Sequence, residues 1–211
     1  MKPLLTVSNV SRDFTKSLDL VAKFLNHLGQ NHREEIVHAV DDVSFEIFRG
    51  EVVGIVGESG CGKSTLGKMV AGILPPSEGQ VRFESANKSD DGPPDDLKTQ
   101  MIFQDPFSSL NPRKKVIDIV TEASLHHGLI KAREKREFAL EMLSRVGLDA
   151  EALGRYPHQF SGGQRQRIGI ARALAVSPEL LVCDESIAAL DVSIQAQVLN
   201  LFVKLKQEYD L

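Results

Sequence analysis

The sequence predicts an α/β fold, with a mainly parallel sheet at its centre, an antiparallel β subdomain beside it and an inserted helical subdomain. Two short apolar runs, at residues 51–56 and at Leu180–Cys183, are typical of parallel strands that are buried on both faces. The first run leads into a glycine-rich loop and then into a helix over residues 63–74, which ends at Pro75 and Pro76. A strand, a loop and a helix in this order form the start of the predicted core.

The spacing of apolar residues predicts the other elements. Further strands are predicted at residues 4–10, 40–48, 80–84 and 100–103. Further helices are predicted within residues 115–147, at Gly162–Leu174 and at residues 193–209. Residues 17–28 also have helical spacing, so we expect an amphipathic helix there that packs on its own domain, with docking on a partner or a membrane as the alternative. Residues 85–98 are predicted to be a solvated connection.

The composition excludes several classes of protein. A chain of 211 residues is long enough for one large domain, and its formal charge of −4 argues against a surface that coats nucleic acid. The two cysteines, Cys61 and Cys183, form no C-x-x-C pair, so we expect neither a disulfide framework nor a zinc knuckle. This use of cysteine is typical of a protein in a reducing cytosol. The sequence has no secretory signal and no run of ~20 apolar residues, so any link to a membrane should run through a partner protein.

The segment GESGCGKST matches the G-x-x-x-x-G-K-[ST] pattern of a phosphate-binding loop. In such a loop, glycines let backbone N–H groups and the start of the next helix surround phosphate oxygens. Lys63 is predicted to bridge the β- and γ-phosphates, and Ser64 is predicted to bind Mg²⁺. The predicted nucleotide-binding residues of the loop are Gly57, Glu58, Ser59, Gly60, Cys61, Gly62, Lys63, Ser64 and Thr65.

Two later motifs complete the expected chemistry. The strand Leu180–Cys183 is followed by Asp184, placed to hold Mg²⁺, and by Glu185, placed to act as the base for an attacking water. The segment FSGGQRQR opens a helix with two glycines, so its N–H groups predict a second anion site. Because the chain has one phosphate loop, two anion sites indicate a nucleotide that is shared between two subunits.

With these motifs in this order, the chain resembles the ATPase subunit of an ATP-binding cassette (ABC) transporter. It is similar in particular to the ATPases of bacterial dipeptide, oligopeptide and nickel importers. The family signature is matched by Ser161, Gly162, Gly163 and Gln164, with Phe160 in place of the usual leucine. Further matching segments are AVDDVSF at residues 39–45, IFQDPFSSLNPR at 102–113 and LDVSIQAQVLNL at 190–201. The resemblance implies a P-loop NTPase core of the RecA-like type.

The resemblance also implies roles for single residues. Gln104 corresponds to the glutamine that senses Mg²⁺ and the attacking water, and Asp191 to the aspartate that communicates across the dimer. An aromatic residue ahead of the phosphate loop should stack on adenine; Phe14 is the candidate and His38 the alternative. The signature residues should contact the nucleotide that is bound to the partner subunit.

By this resemblance, we expect the chain to bind ATP and Mg²⁺ and to hydrolyse ATP as a dimer that powers import of peptides or a similar small solute. The expected partners are a second ATPase subunit, identical or related, two transmembrane permeases and, indirectly, a solute-binding protein. The expected place is the cytoplasmic face of the bacterial inner membrane, and no nucleic acid is expected. Two alternatives stay open: an ABC ATPase of DNA repair or chromosome structure, and a regulatory module that binds nucleotide without hydrolysis.

We expect one ABC ATPase domain over residues 1–211, in which residues 1–105 and 161–211 form the nucleotide-binding core with its β subdomain. Within it, residues 106–160 form a helical subdomain and residues 15–37 an insertion. In the resembling family, a central strand and a switch histidine follow the last helix, and this chain stops at Leu211 before them. We therefore expect a truncated fragment, or a gap in the central sheet that another segment fills, and weak or absent hydrolysis by the isolated chain.

Overall fold

The computed structural model describes residues 2–16, 35–84, 97–105, 107–185 and 191–209 of the chain. The chain divides into two compact units. The first comprises Met1–Phe48 and Val53–Glu84, and the second comprises Arg49–Val52 and Ser85–Leu211. The predicted domain bounds do not follow this division, and they stay a prediction.

The first unit is built on a three-stranded antiparallel sheet. Its strands, in the order β2-β1-β3, are β1 (Leu5–Lys16), β2 (Glu35–Ile47) and β3 (Glu78–Phe83). The alternate residues Leu5 and Val7 of β1 are buried, as is Val10 beyond a shift in register. Because alternate side chains of a strand share a face, one face of this sheet forms the core of the unit.

β1 and β2 confirm the strands predicted at residues 4–10 and 40–48, but both are longer than predicted. They continue as an antiparallel pair until Lys16 lies opposite Glu35. The two ends of the predicted insertion at residues 15–37 therefore belong to the sheet. The predicted helix at residues 17–28 lies outside the described residues.

Helix α1 (Lys63–Val70) follows the phosphate loop, as predicted. Leu66, Met69 and Val70 are buried on one side of it. The helix is shorter than the predicted range 63–74 because the chain turns at Gly72, whose φ of +70° lies in the left-handed region.

Residues 51–56 do not form the predicted strand. They have no regular secondary structure and are exposed, with Val52 at 76% and Val56 at 95% exposure. An apolar run forms a buried parallel strand only where neighbouring strands pair with it and other layers cover both of its faces. In the described part of the chain, neither sheet includes this segment. The prediction of a buried strand at this position is therefore wrong.

The second unit contains a parallel pair of strands, β4 (Thr99–Ile102) and β5 (Leu180–Cys183). β4 lies one residue earlier than the predicted range 100–103, and β5 has the predicted bounds. β5 was predicted to be buried, but it is only half-buried, and Cys183 is exposed. Among the described residues, β4 is the one strand that pairs with β5, so part of the surface of β5 stays accessible.

The second unit also contains four helices: α2 (Val116–His126), α3 (Lys135–Arg145), α4 (Gly162–Leu174) and α5 (Val192–Tyr209). Short 3₁₀ turns lie at Ala132–Glu134, Ala150–Gly154 and Pro157–Gln159. The core between the helices includes Leu143, Ile168, Leu174, Val198 and Leu205. All the predicted helices of this unit are present because their apolar residues repeat at helical spacing. Among the described residues, no helix is both long and apolar enough to cross a membrane.

Candidate functional site

The phosphate loop lies in the first unit, directly before α1. The Nζ of Lys63 donates to the carbonyl oxygens of Gly57 and Glu58, at 2.9 and 2.8 Å. The N–H of Cys61 donates to the carbonyl of Glu58 at 3.3 Å, which closes a turn within the loop. These hydrogen bonds direct the lysine ammonium into the loop, where phosphate oxygens can accept stronger, charge-assisted bonds from it.

Two glycines of the loop occupy positions where a Cβ would be crowded. Gly62 precedes α1 with a φ of 95°, and a Cβ on it would lie 2.1 Å from the carbonyl oxygen of Ala39 and 3.3 Å from Cγ2 of Val40. A Cβ on Gly57 would lie 2.6 Å from the Sγ of Cys61. Residue 62 must therefore be glycine for its conformation and for the close approach of β2.

The two candidates for stacking on adenine lie on β1 and β2 of the same unit. Phe14 pairs with Val37 and is 41% exposed, and the guanidinium of Arg12 lies 5.0 Å from its ring centroid. The Nδ1 of His38, the alternative, lies 2.8 Å from the Oδ1 of Asp13. Both side chains are therefore accessible, but the His38 ring is engaged with a carboxylate, whereas Phe14 presents an apolar aromatic surface.

In the second unit, the carboxyl ends of β4 and β5 bring two predicted site residues together. The parallel register pairs Ile102 with Cys183, and the N–H of Asp184 then donates to the carbonyl of Ile102 at 3.0 Å. Just beyond, the Nε2 of Gln104 donates to the Oε2 of Glu185 at 2.9 Å. The side chain predicted to sense the attacking water thus contacts the side chain predicted to act as its base.

Glu185 has a backbone conformation that is uncommon for its residue type. Its φ is +43°, in the left-handed region. Such a conformation costs about 1–3 kcal/mol in a residue with a side chain, and it persists where surrounding contacts fix the backbone, often at functional sites. The hydrogen bond from the N–H of Asp184 to the carbonyl of Ile102 fixes the backbone directly before Glu185, and the bond from Gln104 holds its side chain.

The residues predicted to hold Mg²⁺ supply only oxygen atoms: the hydroxyl of Ser64, the amide oxygen of Gln104 and the carboxylate of Asp184. Because the Gln104 amide donates to Glu185 through its nitrogen, its oxygen keeps its capacity as a ligand. Oxygen ligands suit Mg²⁺, which is usually bound by one or two carboxylates together with water and substrate phosphates. The described residues contain no cluster of three or more His, Cys, Asp or Glu that could hold a metal. The predicted ligand set differs from such a cluster because it contains only one carboxylate, that of Asp184.

The segment that follows Gln104 is fastened to α4 by two arginines. The guanidinium of Arg165 lies 4.0 Å from the ring centroid of Phe107, and the Nη1 of Arg172 donates to the carbonyl of Ser109 at 2.5 Å. Burial lowers the pKa of Arg172, yet a guanidinium stays charged at neutral pH. Since the two arginines are two helical turns apart, they lie on the same side of α4.

Asp105 shapes the same segment. Its carboxylate accepts hydrogen bonds from the N–H of Phe107 at 2.8 Å and from the N–H of Ser108 at 3.2 Å. The Phe107 N–H, followed by the Ser108 side chain, lowers the pKa of Asp105. Sequence reasoning missed this fastened segment; the spacing of Arg165 and Arg172 on a predicted helix is the signal that could have revealed it.

The signature segment lies at the start of α4, which has a side-chain cap. The Oγ of Ser161 accepts from the N–H of Gln164 at 3.4 Å, and the Oε1 of Gln164 accepts from the N–H of Ser161 at 3.0 Å. This is a reciprocal capping box. Phe160, which replaces the usual leucine, is buried, with the guanidinium of Arg155 4.5 Å from its ring centroid. A buried Phe160 thus anchors the chain directly before the exposed Ser161.

The signature also contacts the start of α5. A Cβ on Gly163 would lie 2.6 Å from Cγ2 of Ile194, in the first turn of that helix. The carbonyl of Asp191 accepts from the N–H groups of Ile194 and Gln195, both at 2.9 Å. The second unit therefore brings the predicted signature and the predicted dimer-loop aspartate to neighbouring helix starts.

Comparison with known proteins identifies the family. The ABC transporter family model matches residues 40–188, which include the phosphate loop and α4. The chain is 52% identical over 180 residues to the oligopeptide transport ATP-binding protein AppF of Bacillus subtilis (strain 168), an alignment that covers 83% of this chain and 55% of that protein. It is 42% identical over 208 residues to the dipeptide transport ATP-binding protein DppF of Escherichia coli (strain K12), covering 97% of this chain and 62% of that protein. The chain thus spans little more than half the length of these curated relatives.

Solved structures show the same fold. A dimeric, post-hydrolysis structure of the ATP-binding cassette MJ0796 bound to ADP and Pi matches with a TM-score of 0.75 at 30% identity, covering 97% of this chain and 83% of that chain. The cbiO1 protein from Clostridium perfringens, part of the ABC transporter complex cbiONQ, matches with a TM-score of 0.71 at 26% identity, covering 100% of this chain and 76% of that chain. The predicted α/β P-loop NTPase fold is confirmed. The chain therefore belongs to the ABC transporter family and carries the nucleotide-binding domain of that family.

Proposed function

We propose that the chain is the ATP-hydrolysing subunit that powers import of peptides or a similar small solute through a membrane ABC transporter. The hydrogen bond between Gln104 and Glu185 carries this proposal, since it holds an acid and an amide together at the end of a parallel strand pair. The names of the relatives, which are transport ATP-binding proteins for oligopeptides and dipeptides, support the choice of substrate. These relatives do not favour a role in DNA repair or chromosome structure.

In the proposed mechanism, the phosphate loop binds the triphosphate of ATP. The N-terminal end of α1 and the loop N–H groups attract the phosphate oxygens, because both carry partial positive charge. Lys63 exchanges its bonds to the carbonyls of Gly57 and Glu58 for bonds to the β- and γ-phosphates. Ser64, Asp184 and Gln104 would hold Mg²⁺, which neutralises charge on the phosphate oxygens.

Glu185 acts on the attacking water. Its carboxylate orients the water and accepts a proton from it as the oxygen attacks the γ-phosphorus in line with the bond to ADP, which breaks. Gln104 positions this carboxylate through its hydrogen bond to Oε2. This positioning lowers the entropy cost of assembling the reactants.

The signature helix completes the site in a dimer. Ser161, Gly162, Gly163 and Gln164 form the second anion site, which we assign to the nucleotide of a partner subunit, identical or related. The dimeric state named for the MJ0796 structure supports this arrangement. Opening and closing of the dimer would drive two transmembrane permeases on the cytoplasmic face of the bacterial inner membrane, with solute delivered by a binding protein.

The substitution Glu185→Gln tests the proposal in the assembled transporter. It keeps the size and hydrogen-bonding capacity of the side chain but removes the base, so we expect hydrolysis to fall by roughly 10²- to 10⁴-fold. Binding of radiolabelled ATP should stay within about twofold of wild type, because Glu185 acts on the water and not on the nucleotide. Steady-state phosphate release and filter binding measure the two effects.

The matched control is Glu151→Gln, which removes the same charge from an exposed position in the turn Ala150–Gly154. It should change neither hydrolysis nor binding. If Glu185→Gln hydrolyses ATP as fast as wild type, Glu185 is not the base. If wild type itself binds ATP without hydrolysing it, the chain is a regulatory module instead.

A further inference from the structure

Arg12 of β1 has no role in the proposed mechanism, but its side chain makes specific contacts within the first unit. Its guanidinium lies 5.0 Å from the ring centroid of Phe14, and its Nη1 donates to the carbonyl oxygen of Pro75 at 3.0 Å. Its Nε is buried and has no hydrogen-bond partner in the described part of the chain. The guanidinium is therefore held between an aromatic ring and a backbone carbonyl.

The register of β1 and β2 shows which face of the sheet this ring occupies. Arg12 pairs with Val40, and cross-strand partners share a face of the sheet. Cγ2 of Val40 lies 3.3 Å from the place where a Cβ on Gly62 would be. Arg12 therefore lies on the face that approaches the phosphate loop, and its contact with Phe14 puts that ring on the same face.

The same register separates the two candidates for stacking on adenine. Asp13, between Arg12 and Phe14 in β1, lies on the opposite face and pairs with His38. A register shift at this point leaves Ala39 of β2 as an extra residue, so Val40 and His38 lie on opposite faces although they are two residues apart. The two faces are thus divided, with Phe14 on the side of the phosphate loop and His38 on the other side. This geometry favours Phe14 as the stacking residue.

We infer that Arg12 is a positioning residue for the nucleobase of the bound nucleotide, acting through the ring of Phe14. The inference rests on the proposed nucleotide binding. One face of the ring is covered by the guanidinium, and the ring is partly exposed, so its other face is available to a base. A purine base can stack on such a face whatever its substituents, because every base has a flat π surface.

Arg12 contributes to stacking in two ways. The cation attracts the π electrons of Phe14 and holds the ring in one orientation, so less rotational freedom is lost when a base binds. It also draws electron density from the opposite face, which favours contact with an electron-rich purine. The hydrogen bond to Pro75 keeps the guanidinium in place against the ring.

A purely structural role for Arg12 makes a different prediction. If Arg12 only ties β1 to Pro75, its loss should loosen the unit and weaken all phosphate ligands alike. If it positions the ring for a base, its loss should weaken ATP much more than inorganic tripolyphosphate, which carries the same phosphate chain and no base. The ratio of the two affinities therefore separates the roles.

The test compares wild type with Arg12→Met, which keeps the length of the side chain and removes its charge. Affinities for ATP and tripolyphosphate are measured by competition with a fluorescent ATP analogue on the purified protein. We expect Arg12→Met to weaken ATP by roughly three- to tenfold and tripolyphosphate by less than about twofold. Phe14→Ala should weaken ATP by roughly tenfold or more, with the same small effect on tripolyphosphate.

Two further variants sharpen the test. Arg82→Met removes an exposed arginine from β3 of the same sheet and should change neither affinity. In the double variant Arg12→Met with Phe14→Ala, ATP should bind no more weakly than in Phe14→Ala alone, since Arg12 acts through the ring.

Three results would overturn the inference. They are equal losses for ATP and tripolyphosphate in Arg12→Met, losses that multiply in the double variant, and an unchanged affinity ratio in Phe14→Ala. The proposed function fails separately, if wild type binds neither ligand or if Lys63→Ala leaves both affinities unchanged.

Discussion

Helices α1 and α4 both begin with glycine-rich segments that we propose to bind phosphate, but different parts of the protein fix their first turns. At α1, the cap residue is Gly62 in the left-handed region, pressed against the backbone of Ala39 in β2. At α4, Ser161 and Gln164 cap each other with their own side chains. The start of α1 therefore depends on a neighbouring strand, and the start of α4 on its own sequence.

Because of this difference, the two proposed anion sites should tolerate substitutions to different degrees. A helix start that packs against the backbone of a strand cannot shift to make room for a larger residue, because a strand in a sheet moves only together with its neighbouring strands. A start that is capped by side chains yields more easily, because side chains can rotate. Substitutions at the two sites should therefore differ in effect more than their similar sequences indicate.

The largest effect is expected for Gly62→Ala. The new Cβ would lie 2.1 Å from the carbonyl oxygen of Ala39, at a residue with a φ of 95°. Steric overlap with backbone and left-handed strain should together lower the free energy of unfolding by about 2–4 kcal/mol. Urea denaturation measures this loss, and ATP binding by the variant should be lost as well.

Gly60→Ala is the control for Gly62→Ala. Gly60 is also left-handed, with a φ of +83°, but a Cβ on it would meet nothing within 4 Å. Only the conformational strain of about 1–2 kcal/mol should remain. Equal losses for the two variants would contradict the role given to β2 in fixing the start of α1.

A smaller effect is expected for Ser161→Ala at the start of α4. Loss of the cap should lower the free energy of unfolding by about 1 kcal/mol, which urea denaturation detects. Ser161→Asp keeps a capping oxygen, so stability should be retained, but its negative charge should repel a phosphate. The variant should therefore stay folded and lose ATP-dependent dimerisation, measured by size-exclusion chromatography with light scattering.

Ser144→Ala is the matched control, since Ser144 is exposed within α3 and is not a cap residue of that helix. It should cost no stability. A Ser161→Asp variant that dimerises normally with ATP would show that the start of α4 does not face a phosphate.

The smallest effect is expected for Gly163→Ala. Its Cβ would lie 2.6 Å from Cγ2 of Ile194, which is a side-chain atom and can move by rotation. Overpacking of about 1 kcal/mol should be offset by the gain of about 1 kcal/mol from replacing glycine by alanine in a helix. The midpoint of urea denaturation should change little. In a double-mutant cycle with Ile194→Ala, which removes Cγ2, any remaining loss from overpacking should disappear. A loss as large as that of Gly62→Ala would show that the start of α5 is held rigidly.

The same contrast explains which elements could be predicted from the sequence. α4 and β5 have the bounds that the sequence predicts, because Ser161 and Gln164 form a cap within four residues and the apolar run of β5 is short and well bounded. The strand at residues 51–56 was predicted wrongly because burial of an apolar run requires pairing and cover that local pattern does not contain. The lengths of β1 and β2 were underestimated for the same reason, since their outer parts are stabilised by each other.

The order of three motifs in the sequence determined the family, the position of the phosphate loop and the identity of the acidic residues after β5, because each motif is a local requirement of phosphate chemistry. Tertiary structure alone decided which of these residues meet. The bond from Gln104 to Glu185 and the approach of Ala39 to Gly62 join residues that are far apart in the chain. Such contacts depend on strand register and on packing, which arise only when distant segments fold against one another.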